Sequence, residues 1–109
     1  MARYLVLWRM NPVAPFPMDP EGNLKLYEMA WEAIGSSIKK GEIEEFGFFL
    51  DGKSGYAIGK GDSSSALKNL SSFLPYWEAT VVQEMIPFEE GKKILRANMK
   101  AQIEAAKQG

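Results

Sequence analysis

Apolar residues recur along this chain in two periods, and the switches between them divide it into six segments. The run Tyr4–Met10 (YLVLWRM) alternates: Tyr4, Val6 and Trp8 share one face, while Leu5 and Leu7 lie between Arg3 and Arg9 on the other. It stops at Asn11-Pro12, which predicts a strand. The second alternating stretch, Ile43–Lys60 (IEEFGFFLDGKSGYAIGK), is interrupted by Asp51-Gly52-Lys53-Ser54. Gly supplies positive φ there, and Asp and Ser can bond their own backbone, so a hairpin with a tight reversal is predicted. A four-residue loop sets Leu50 opposite Gly55, Phe49 opposite Tyr56, Phe48 opposite Ala57, Gly47 opposite Ile58 and Phe46 opposite Gly59. Large side chains then meet small ones, so that a ring can cover a glycine. The last alternating run is Glu78–Ile86, with Val81, Gln83 and Met85 on one face and Thr80, Val82, Glu84 and Ile86 on the other; Pro87 ends it.

Between these runs the period lengthens. Asp19-Pro20-Glu21 offers an N-cap acceptor, a proline at the first helical position and an acid in the first turn. Leu24, Tyr27, Trp31, Ile34 and Ile38 follow at steps of three and four, and Lys39, Lys40 and Gly41 close the helix. A shorter helix opens at Asp62-Ser63-Ser64-Ser65, carries Ala66, Leu67, Leu70, Phe73 and Leu74, and ends at Pro75. From Phe88, a charged helix bears the narrow stripe Ile94, Leu95, Met99, Ile103 and Ala106. Asn11–Pro20 holds four prolines and reads as a stiff connector clamped by Phe16 and Met18 rather than as a proline-rich ligand.

The order β-α-β-β-α-β, plus a C-terminal helix, is that of an α+β, ferredoxin-like domain: an antiparallel sheet with both helices on one face. One domain over residues 1–109 is expected, with a core in 1–87 and a helical extension in 88–109. Because both sheet faces are apolar and the helices cover one, a homodimer joined through the other face is expected. A polar residue at Phe49 is then expected to dissociate it.

Composition narrows the chemistry. Thirteen basic residues against fourteen acidic ones leave a formal charge of −1, so no field draws in nucleic acid or an anionic membrane. The sequence contains neither cysteine nor histidine. That removes disulfides, thiolate nucleophiles, histidine triads, histidine-ligated haem and nitrogen/sulfur zinc sites. No metal and no cofactor are expected. The first ten residues are too short an apolar run, interrupted by Arg3 and Arg9, for a signal peptide or membrane span, so a cytoplasmic protein is expected.

With YLVLW in the first strand, Met18-Asp19-Pro20 at the first helix start, Ser65-Ala66-Leu67 in the second helix and Leu74-Pro75-Tyr76-Trp77 before the last strand, the chain resembles the dimeric α+β barrel superfamily. Within it, over roughly residues 1 to 90, it is similar to muconolactone isomerase and related small proteins. The resemblance implies a dimer or larger ring and a ligand cleft between sheet and helices in each subunit. The superfamily includes isomerases, cofactor-free monooxygenases and haem enzymes.

Four residues are candidates for a site. Glu84, a carboxylate among strand apolar residues, is a candidate for proton transfer near neutral pH; the competing reading is a cross-strand ion pair with Arg3. Arg9 has the planar fork that grips a ligand carboxylate, or is a satisfied edge charge. Trp8 and Tyr56 are candidates for an aromatic pocket wall, against plain core or dimer packing. Lys53-Ser54-Gly55-Tyr56-Ala57-Ile58 partly echoes the third strand of the RNA-recognition module, but Ile58 stands in place of the second aromatic and little charge attracts phosphate. The expected function is therefore binding of a small, mostly apolar organic molecule, with a cofactor-independent isomerase as its enzymatic form. A non-enzymatic ligand-binding module is the alternative.

Overall fold

A computed structural model describes residues 2–108. Its elements are β1 (Arg3–Met10), α1 (Pro20–Lys39), β2 (Ile43–Phe48), β3 (Ser54–Lys60), α2 (Ser63–Ser71), β4 (Trp77–Met85) and α3 (Phe88–Gln108). The strands form one antiparallel open sheet in the order β2-β3-β1-β4. This is an α+β fold, and its strand order is compatible with the ferredoxin-like plan.

The helices begin where the sequence chemistry puts them. Asp19 caps α1 by accepting from the Gly22 amide at 2.7 Å, with Pro20 in the first turn. Asp62 caps α2 by accepting from the Ser65 amide at 2.8 Å. Phe16, in the connector between β1 and α1, packs its ring against Tyr27, Tyr76 and Trp77, with centroids 5.2 to 6.4 Å apart. Met18, expected to share that clamping role, is instead fully exposed.

The hairpin register differs from expectation. Phe48 lies opposite Gly55, Gly47 opposite Tyr56, Phe46 opposite Ala57 and Ile43 opposite Gly59. The loop spans 49–53, two residues longer at its first end than the expected reversal 51–54 and one shorter at its second. Asp51 is the reason: its Oδ1 accepts from the Lys53 and Ser54 amides and from the Ser54 hydroxyl, while the Phe49 and Gly52 amides close the loop on Ser54 and Phe49 carbonyls. The slip is two residues, so Phe46, Gly47, Phe48 and Phe49 keep their predicted faces, while Ile43, opposite Gly59, turns to the inner face. Large still meets small, with Trp8 and Phe48 both flanking Gly55.

Arg3 faces Met85, not Glu84; Glu84 lies opposite Tyr4, one residue along and on the other face. Thr80 is an extra residue in β4, since Leu7 faces Val81 and Trp8 faces Ala79, and its hydroxyl donates to the Leu7 carbonyl at 3.2 Å. A second register shift lies in β2 between Ile43 and Glu45. Val6 and Ala57 are the buried apolar side chains at the sheet centre. The inner face carries Tyr4, Val6, Trp8, Phe46, Phe48, Ala57 and Val82 beneath α1 and α2. Leu5, Leu7, Tyr56, Ile58, Val81 and Met85 occupy the outer face and are half-buried.

The third helix behaves differently from the other two. Every residue of α3 except Gly91 is exposed, and the molecule is 71 Å long against 29 and 26 Å in its other dimensions. Among the described residues no helix is long and apolar enough to cross a membrane.

Candidate functional site

A cavity of about 130 Å³ lies between the inner face of the sheet and the two helices above it. Val6, Trp8, Ala57 and Val82 form its floor; Tyr27, Ala30, Trp31 and Ile34 of α1, with Leu70 and Phe73 at the end of α2, form its roof. The roof residues of α1 recur at i, i+3, i+4 and i+7, the spacing that keeps them on one helix face. Their burial is partial, because the gap beneath them is not filled by side chains.

Two aromatic groups face each other across this space. On the sheet side, the Trp8 indole stacks on Phe46 at 5.3 Å and 12° and meets Phe48 edge-on at 5.7 Å. On the helix side, Tyr27 packs edge-on against Trp31 at 5.7 Å, and it also meets Trp77, at the start of β4, at 5.2 Å. The polar atoms of Trp8 and Tyr27 are engaged: Trp8 Nε1 donates to the Tyr56 carbonyl at 3.3 Å, and the Tyr27 hydroxyl donates to Met10 Sδ at 3.4 Å. The rings therefore present apolar faces and edges to the cavity.

Polar groups enter at the rim. The Asn69 amide donates to Glu42 Oε2 at 3.1 Å, and both residues line the cavity. The Tyr4 hydroxyl lies 3.3 Å from Ser63 Oγ. A ligand polar group could be met here by the second carboxylate oxygen of Glu42 without breaking the Asn69 bond.

The four candidates from the sequence are dispersed by the fold. Trp8 is in the cavity wall. Tyr56 is on the outer face, over Gly47 and stacked on Phe49 at 6.2 Å. Arg9 is exposed and donates from Nε to Glu78 Oε1 at 2.7 Å, a satisfied edge charge whose partner Glu78 touches the cavity rim. Glu84 is exposed on β4 and does not line the cavity. Arg9 and Tyr4, the β1 partner of Glu84, are five residues apart, about 17 Å of strand, so the two do not converge on one small molecule. Glu42, Asn69, Tyr27, Trp31 and Trp77 were not singled out as site residues by sequence. Helical spacing marks a face that meets something, and it reads the same whether that is packed core or cavity.

The strongest charge cluster is elsewhere. Arg3 donates through Nε and Nη2 to Glu44 Oε2 at 3.0 and 2.7 Å, and Lys60 Nζ is 3.0 Å from Oε1. The hydrogen bonds from Arg3, then Lys60, hold the Glu44 carboxyl below the usual glutamate range. A carboxyl lowered in the folded state contributes its stability above the unfolded-state value and loses it as pH falls through the folded one. Carbon-detected NMR titration is expected to place the Glu44 midpoint below the ordinary glutamate range, and to raise it toward that range in Arg3→Gln, with Lys60 still in place. A Glu44 midpoint unchanged by that substitution rejects the ion pair.

Among the described residues no group of three or more acidic side chains is arranged to hold a metal ion. No protein-family model matches the chain, and no curated protein matches it in sequence.

Proposed function

We propose that the chain is a homodimeric α+β barrel protein that takes up a small, mostly apolar organic molecule bearing a flat ring, in the cavity between its sheet and helices. The observation that carries this is the pair of aromatic clusters facing each other across a space of about 130 Å³. A space of that size admits a single ring, since a cavity of roughly 150 Å³ lined by apolar side chains stays dry and takes up benzene. Glu42 and Asn69 at the rim give a polar substituent one place to go. The resemblance to muconolactone isomerase and its superfamily supports the same reading, as does the half-buried apolar outer face of the sheet, which suits a second sheet laid against it.

In its enzymatic form the reading is an isomerase that needs no cofactor, moving a proton between two positions of the bound ring. Glu42 is the carboxylate positioned to act on a ligand in this cavity; Glu84 and Arg9 would act only on a ligand bound outside it. The largely apolar lining favours the non-enzymatic form, a ligand-binding module.

Toluene titrated into isotope-labelled protein is expected to give saturable amide shifts clustered at Val6, Ala57, Tyr27 and Trp31. Ala30→Leu, which adds volume to the roof on a good helix-forming residue, is expected to weaken that binding by about tenfold or more. Shifts that never saturate, or an affinity untouched by Ala30→Leu, reject this cavity as the site.

A further inference from the structure

We propose that α3 is an exchanged arm, whose apolar stripe lies on the body, residues 1–87, of a second copy of this chain. The inference rests on the homodimer reading above and adds the element that completes it.

Size comes first. A compact monomer of 12.2 kDa has a surface of about 6,100 Å² and, at this length, a radius of gyration of about 13 Å. This chain has 8312 Å² and 19.4 Å. The excess, about 2,200 Å² per chain, matches what a permanent homodimer hides, since such interfaces remove about 2,000–5,000 Å² in total.

Part of that excess lies on the arm, where every residue but Gly91 is exposed. Leu95, Met99 and Ile103, at steps of four, are 54 to 59 % exposed on one side of α3. In proteins most helical stability comes from packing an amphipathic face rather than from propensity, so the stripe calls for a cover. Its own domain does not provide one, because α3 runs away from the sheet after Ile86-Pro87.

Charge selects the cover. Residues 88–108 carry five basic and three acidic side chains, which leaves eight basic and eleven acidic on the body. Among the described residues Lys93, Arg96 and Lys100 have no ion-pair partner, and neither do Glu28, Glu32, Glu45 and Glu84 of the body. Arm against arm would set like net charges together; arm against body sets opposite ones together. The three acids on the arm, two of them in its first turn, also make it a poor match for an anionic membrane surface.

The full chain, which has no native cysteine, accepts a single nitroxide label through Lys100→Cys. In a mixture with unlabelled, isotope-enriched chain, the label is expected to broaden amide signals within residues 1–87 of the other copy. The double substitution Met99→Glu/Ile103→Glu is expected to raise the dimer dissociation constant about 100-fold while the circular dichroism of the body persists. Broadening confined to residues 88–108 means that arms pair with each other and overturns the proposal. A dimer with no broadening, or one whose dissociation constant ignores the double substitution, overturns the arm and leaves the homodimer reading standing. A monomer by sedimentation overturns both. Uptake of the labelled arm by phosphatidylserine vesicles with loss of the dimer overturns the arm in favour of a lipid surface.

Discussion

Gly55→Ala is expected to lower the thermal unfolding midpoint by about 12 °C or more, the effect of about 3 kcal/mol of overpacking on a domain of this size. Gly55 is buried at the start of β3, between Trp8 on β1 and Phe48 on β2. A Cβ built there runs into the Gly47 carbonyl oxygen and comes within 2.5 Å of the Trp8 indole. The carbonyl belongs to the paired backbone of β2 and cannot move without breaking the hairpin ladder. The indole cannot retreat either, because it is stacked on Phe46 and tied to the Tyr56 carbonyl. Gly47→Ala is the control. Its new methyl meets only the outer end of the Tyr56 ring and no backbone atom, and a side-chain ring can shift where a ladder carbonyl cannot. Its midpoint is expected to fall by less than half as much, measured by calorimetry on both variants. Equal losses would show that the Trp8 side of the sheet is no more tightly packed than the Tyr56 side.

Leu7→Glu is expected to weaken the proposed dimer by about 1,000-fold or more, because a carboxylate enclosed between two sheets would retain a desolvation penalty of several kcal/mol. Leu7 is central on the outer face, with Tyr56 beside it on β3 and Val81 on β4. Two-fold symmetry would bring two such charges into one interface. In the isolated subunit the new carboxylate can reach water, so the sheet itself is expected to survive. Sedimentation equilibrium measures the first effect and circular dichroism checks the second. An assembly unchanged by Leu7→Glu removes the outer face as the interface. Phe49, at the loop end of the same face and stacked on Tyr56, marks the periphery of that surface, so a polar residue there is expected to have the smaller effect of the two.

What the sequence made legible was the periodic part of the molecule. The 3-4 spacing from Leu24 to Ile38 marked α1, and the alternation around Val6 marked the central strand with its faces correctly assigned. Register was harder, because it depends on which carbonyl a turn amide reaches. The several bonds accepted by Asp51 moved the Ile43–Lys60 hairpin by two residues, and the Thr80 bulge moved Ala79 to the inner face beside Trp8. The site was the least legible. Glu84 stands out in sequence as a charge in an apolar run, yet its carboxylate is exposed; Glu42, just before β2, looks like any surface acid and reaches the cavity. Apolar spacing also gave no warning that Trp31 and Tyr27 roof a space instead of filling it. That distinction depends on the distance between the two layers, which no local pattern encodes.

The two register shifts have a consequence for how copies of this chain can meet. One lies in β2 and the other involves β4, the two strands whose outer sides are unpaired. A bulge breaks the even row of amides and carbonyls that an incoming strand would need, and the charges of Glu44 and Glu45 on β2 and Glu84 on β4 add desolvation to any such approach. Growth of the sheet sideways, from one molecule into the next, is thereby discouraged at both ends. Association is left to faces and helices, where it can close on itself after two copies instead of continuing into a fibre.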